Sequence, residues 1–152
     1  MASVLCAALV ACTEAEPNQG AAMAKQETVS FDVVVFSYVN RPIFDVLANG
    51  RLVAGALSAH GGGQSLMTGV TFPIGPQTVT WRLDGPEGMV GNGDTVAAVN
   101  QPVLAHPKPE QSYLGIHIYP DGVVEFVPSD GWPDATERGE AISRAAGAAN
   151  GK

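Results

Sequence analysis

Tyr113-Leu114-Gly115-Ile116-His117-Ile118-Tyr119, then Pro120-Asp121-Gly122, then Val123-Val124-Glu125-Phe126-Val127 is the stretch whose reading decides the fold class. Leu114, Ile116 and Ile118 fall on one face, and Tyr113, His117 and Tyr119 on the other. That period of two belongs to a strand. In the three residues between the runs, Pro fixes φ and Gly takes a positive φ, which is turn chemistry. The stretch therefore predicts a β-hairpin, with His117 a partly exposed residue among aromatics. Pro128 and Pro133 are expected to close off its second strand.

Working outward, the same pattern recurs toward the N-terminus. Val79, Trp81 and Leu83 alternate with Thr78, Thr80 and Arg82, the mark of a half-buried strand with Trp81 in the core. Asn49-Gly50 is the strongest short hairpin signal and joins Ile43–Ala48 to Arg51–Leu57. From Thr28, apolar residues fill both registers beyond Asp32, so this strand is expected to be central and covered on both faces. Ser65–Phe72 and Thr95–Val99 add two more strands. Ala59–Gln64, Pro73–Gln77, Asp84–Asp94 and Gln101–Gln111 read as loops or turns. No helices of 10–15 residues alternate with the strands, which excludes an α/β fold. The expectation is an all-β domain over residues 28–133, an antiparallel β-sandwich or open barrel. Residues 134–152 are expected to hold at most one weak helix and a disordered tail.

Composition narrows the function. The 152 residues include 15 acidic and 8 basic side chains, a formal charge of −7. No basic stripe exists for sequence-independent nucleic-acid binding. No run of 18 apolar residues exists, so no membrane-spanning helix is expected. The first eleven residues, MASVLCAALVA, form an uncharged apolar segment of secretory length. Leu9-Val10-Ala11-Cys12 resembles the bacterial lipobox, in which small residues precede a Cys that is lipidated before cleavage. Polar residues follow at once, although the usual Lys or Arg of a signal peptide is missing. The expectation is a signal peptide over 1–11, lipidation of Cys12 and a flexible tether over 12–27. Cleavage would also remove Cys6, leaving no free thiol, as suits an oxidising compartment. Thr13, where an Asp would favour inner-membrane retention, points to the periplasmic side of the outer membrane, with the inner membrane as the other destination.

The residues that could carry chemistry do not assemble into a known pattern. His60-Gly61-Gly62-Gly63 matches an oxyanion loop of some lipases, but Gly63-Gln64-Ser65-Leu66-Met67 lacks the second Gly of a nucleophile elbow. His60, His106 and His117 lack metal-ligand spacing. Asp84, Glu87 and Asp94 among glycines lack the calcium-loop pattern and read as a solvated acidic loop. No catalytic set, metal or cofactor is expected. Trp132 lies in a loop, either as an exposed anchor or as a lid over the sandwich end.

Several stretches together carry a resemblance: Asn40-Arg41-Pro42-Ile43, Leu47-Ala48-Asn49-Gly50, Gly61-Gly62-Gly63, Val79-Thr80-Trp81-Arg82, and His117 through Glu125. Over residues 28–127 the chain resembles a family of small proteobacterial lipoproteins of formally unknown function. Members are often encoded beside phospholipase effectors of the type VI secretion system, where they act as periplasmic immunity proteins. Many carry a Cys pair after the Gly-rich loop; here Leu66-Met67 occupies that region. The resemblance implies a non-enzymatic lipoprotein that neutralises a secreted lipolytic effector by occlusion. The other expectations are a structural or accessory envelope lipoprotein and a carbohydrate-binding module. For the inhibitor, the candidate partner-binding residues are Arg41, His60, Gln64, Glu87, Asp94 and Trp132, the two acids serving to steer a basic partner.

Overall fold

The computed structural model describes residues 25–151. The expected signal peptide, Cys12 and most of the tether lie outside the described residues. The described residues form β1 (Thr28–Ser37), β2 (Ile43–Ala48), β3 (Arg51–Leu57), β4 (Gly62–Pro73), β5 (Gly75–Pro76), β6 (Val79–Leu83), β7 (Thr95–Ala97), β8 (Val103–Leu104), β9 (Tyr113–Ile118), β10 (Val124–Ser129) and α1 (Glu137–Asn150). One sheet has the order β10-β9-β1-β4 and the other β3-β2-β6-β7, with a small β5–β8 ladder beside them. The fold is an all-β sandwich with open edges and a single C-terminal helix.

The expected boundaries of β2, β3 and β6 and the start of β1 coincide with the structure. Alternation puts Phe31, Val33 and Val35 of β1 against Leu114, Ile116 and Ile118 of β9 and against Ile43, Val46, Val53, Val79 and Trp81 of the facing sheet. This apolar layer is the main core. The intervening residues Val34 and Phe36 enter a second cluster on the outer face, with Tyr38 and Tyr119. Both faces of β1 are covered, as its unbroken apolar run implies.

The covering of that outer face comes from the C-terminal segment. After β10 the chain doubles back, Pro133 is buried, and Ala135 and Ile142 pack on the second cluster. Thr136 caps α1 by accepting a hydrogen bond from Gly139 N at 3.0 Å, and Glu137 and Glu140 lie in the first turn, where their charge suits the helix dipole. A side chain at Gly139 would overlap the Tyr38 ring, so only glycine lets α1 approach this closely. Arg138 lies 3.9 Å from the Tyr119 ring centroid and pairs with Asp121 at 2.7 Å, joining α1 to the β9–β10 turn.

Several expectations require correction. Within the expected antiparallel sandwich, one pair, β1–β9, is parallel, from Asp32↔Tyr113 to Ser37↔Ile118; two strands so far apart in sequence are not bound by hairpin geometry. Gly62 and Gly63 belong to β4 rather than to a loop. Their positive φ values and the approach of Gly62 to the backbone of Val35 and Phe36 explain the glycines. Pro128 lies inside β10 instead of ending it. It is tolerated because β10 is an edge strand. Finally, His117 is fully buried, because the returning C-terminal segment covers the face that the hairpin alone would leave open.

Candidate functional site

Three connections meet at one end of the β3-β2-β6-β7 sheet: 38–42, 58–61 and 84–94. The register Ile43↔Leu57 and Ile43↔Leu83 brings them side by side. Ser37 N donates to Gly61 O at 2.7 Å, His60 N to Val39 O at 2.9 Å, and Asp84 N to Pro42 O at 2.9 Å. The three segments thus form one surface, fastened through their backbones.

Arg41 holds the longest of them. Its Nε donates to Asp84 O at 2.8 Å, Nη1 to Val90 O at 3.0 Å and Nη2 to Asn92 Oδ1 at 2.6 Å. Asn92 in turn donates through Nδ2 to Gly85 O and Pro86 O at 3.1 and 2.8 Å. Gly88, Gly91 and Gly93 all have positive φ, which the tight successive turns require. The 84–94 segment is therefore ordered by Arg41 and by its own Asn92, although it is a long surface loop. At its tip Val90 is 91% exposed and Met89 43% exposed.

Beside it lies a cavity of about 350 Å³ lined by Ala56, Leu57, Ser58, His60, Gly61, Gly62, Gln64 and Ser65. His60 adopts φ 48°, and its Nδ1 is buried without a hydrogen-bond partner. Non-glycine residues at such φ values carry strain that the surroundings must hold in place. A second hollow, lined by Asn40, Ala59, His60 and residues of α1 (Ala146, Ala149, Asn150), adjoins it.

Beneath this surface runs a column of nearly parallel rings. Phe36 and His117 stack at 4.7 Å, His117 and Tyr38 at 6.0 Å, and Tyr38 and Tyr119 at 5.2 Å. Tyr38 OH and His117 Nδ1 are 3.0 Å apart. Either tautomer leaves Nε2 buried and unpartnered. Desolvation lowers the His117 pKa to about 4, against the opposing pull of Glu125; the ring is neutral at pH 7. Tyr119 OH donates to Glu125 Oε2 at 2.7 Å and accepts from Thr136 Oγ1 at 2.7 Å. Burial, reinforced by Glu125, pushes the Tyr119 phenol up to about 12. Burial also raises Tyr38. These groups hold protons fixed; nothing among them is poised to exchange one near neutral pH.

The six candidate residues fall into neighbouring groups. His60 and Gln64 line the same cavity. Trp132, 47% exposed, donates from its indole to Gly63 O at 3.0 Å and packs against Tyr113. It is both anchored and displayed. Glu87 and Asp94 are exposed on the 84–94 loop. Arg41 is placed differently from a free interface anchor, since all three guanidinium nitrogens are engaged within the protein. Met89 and Val90 were not among the candidates. Their signal in the sequence is an apolar pair inside an acidic, Gly-rich segment with no strand to bury it. Among the described residues, no three His, Cys, Asp or Glu come close enough to hold a metal ion. Also among them, no helix is long and apolar enough to cross a membrane. Compared with protein families, curated proteins and solved structures, the chain matches none.

Proposed function

We propose that this chain is a periplasm-facing lipoprotein, anchored through Cys12, that binds a secreted lipolytic effector and neutralises it by occlusion, without turning over substrate. The observation that carries this reading is the ordered 84–94 loop. A long loop held by five side-chain hydrogen bonds from Arg41 and Asn92 loses little further entropy on binding. Such a surface suits an inhibitor that must outcompete substrate at low copy number. The net charge of −7 favours a basic partner. The lipobox-like Leu9-Val10-Ala11-Cys12 supports the envelope address. The family resemblance over residues 28–127 supports the lipolytic target.

The test is co-expression in the periplasm with a secreted phospholipase effector captured from the producing cells with this chain as bait. Wild-type protein prevents lysis, and Arg41→Ala and Trp132→Ala reduce protection. Lysis that continues despite abundant, correctly localised wild-type protein rules out this role against that effector. Cys12→Ala releases the protein from the membrane fraction or stalls its processing. Identical soluble fractionation of wild type and Cys12→Ala contradicts the anchor.

A further inference from the structure

We infer that Met89 and Val90 form an apolar plug that enters the acyl-chain cleft of the lipolytic enzyme, with Glu87 and Asp94 meeting cations at the mouth of that cleft. This rests on the inhibitory role proposed above and names the part of the surface that carries it. Folding gives no reason for an apolar tip here. Val90 is almost wholly exposed while its carbonyl is held by Arg41 Nη1. Its backbone is fixed and its side chain has no neighbour to pack against. Met89 is partly tethered, since a Cβ on Gly85 would run into Met89 Sδ. Its N–H is satisfied by Pro86 O at 3.0 Å, and its carbonyl accepts from Asn92 N at 3.3 Å.

Charge decides among possible occupants. Asp84, Glu87 and Asp94 are exposed on the same loop; against them stand Arg41, which bonds only to neutral oxygens and keeps its charge, and Arg82, which is paired with Asp45, so the loop remains net acidic. A second copy of the chain would bring the same carboxylates together, and an anionic bilayer would repel them. A protein with an apolar cleft and a basic rim is complementary on both counts. An enzyme that takes fatty acyl chains from anionic phospholipids has that surface by the nature of its substrate. A small aliphatic side chain on a rigid loop fits such a cleft in the way that central anchors fill partner pockets.

The experiment uses a purified secreted phospholipase captured from the producing cells with this chain as bait, phospholipid vesicles as substrate, and the wild-type, Val90→Ile and Val90→Asp proteins. The wild type inhibits, Val90→Ile inhibits within about threefold of it, and Val90→Asp is weaker by at least 30-fold, about 2 kcal/mol by the tenfold-per-1.4 conversion. Melting temperatures of the three coincide, because the side chain touches nothing in the fold. Saturating the enzyme with a non-hydrolysable phospholipid analogue weakens wild-type binding by a comparable factor. If the wild type inhibits and Val90→Asp inhibits equally, the plug is wrong and the inhibitory role stands. If Val90→Asp is weak but the analogue leaves wild-type binding untouched, the loop docks outside the acyl cleft and the inference is overturned. A wild-type protein that neither binds nor inhibits removes the proposed function and the plug with it.

Discussion

The two ends of the β3-β2-β6-β7 sheet solve the same problem differently. At the end bearing Asn49-Gly50, the buried polar group is Gln77, and every polar atom of its side chain is used. Its Nε2 donates to Pro73 O at 2.6 Å and to Gly75 O at 2.8 Å, and its Oε1 accepts from Asn49 Nδ2. Its backbone N–H reaches Pro102 O at 2.8 Å, and Asn49 also closes on Thr78. The opposite end gathers, in or beside it, all three unpartnered buried side-chain atoms found among the described residues: Ser37 Oγ, His60 Nδ1 and His117 Nε2. Buried polar groups without partners are uncommon in native folds and concentrate where structure serves something other than stability. One end closes the sandwich; the other displays loops over an imperfectly satisfied interior.

The strongest way to break this contrast is Gln77→Leu. It keeps the volume but strands Pro73 O and Gly75 O, and it should cost about 4 kcal/mol in denaturant unfolding. Its inhibitory strength, measured on the folded fraction, should match that of the wild type. A loss of inhibition in folded Gln77→Leu would show that the two ends are not separable.

The next effect is a pH dependence confined to the display end. His117 has a folded pKa of about 4 against 6.5 in the unfolded chain. Its favourable contribution is fully present above pH 6.5. Between 6.5 and about 4 the unfolded chain takes up a proton that the folded chain refuses, so stability falls, by about 3 kcal/mol in total. Glu125 is the charge that opposes this shift. His117→Phe, which can stack between Phe36 and Tyr38, should be weaker at pH 7.5 because Tyr38 loses a partner. Its unfolding free energy should fall less steeply toward pH 4.5. Equal slopes for the two proteins would remove His117 as the titrating group.

Arg41 comes third. Arg41→Ala should cost about 1–2 kcal/mol of stability and leave amide exchange within 84–94 much faster, with inhibition weakened at least tenfold. Arg41→Lys should behave almost as badly, because an ammonium cannot reproduce the three-pointed fork. The smallest effect belongs to Glu87→Lys. It should slow association a few-fold at low salt, leave dissociation unchanged, and lose its effect at high salt.

Which of these features can be seen in the sequence follows from what kind of interaction makes them. Strands at Ile43–Ala48, Arg51–Leu57 and Val79–Leu83 are local: a period of two bounded by Asn-Gly or Gly-Pro signals. The double covering of β1 is also legible, because Val33 through Phe36 leave no polar face. The burial of His117 is not, since the covering segment at Pro133–Ile142 lies beyond the hairpin and only the fold brings it back. The parallel β1–β9 pairing is hidden for the same reason. Among the candidate residues, the loop positions of Glu87, Asp94 and Trp132 could be read from turn chemistry. Arg41 could be singled out, but its employment as a staple depends on Asp84, Val90 and Asn92, more than forty residues away in the chain.

The central proposal is that the end formed by 38–42, 58–61 and 84–94 is the surface that silences a lipolytic enzyme. Amide hydrogen exchange of the protein, alone and in the presence of a purified secreted phospholipase captured from the producing cells, tests it most directly. The account predicts new protection concentrated in those three segments and around Trp132, with 49–50 and 73–78 unchanged. Protection centred on Asn49-Gly50 and Gln77, or no change at any segment in the presence of excess effector, would contradict it.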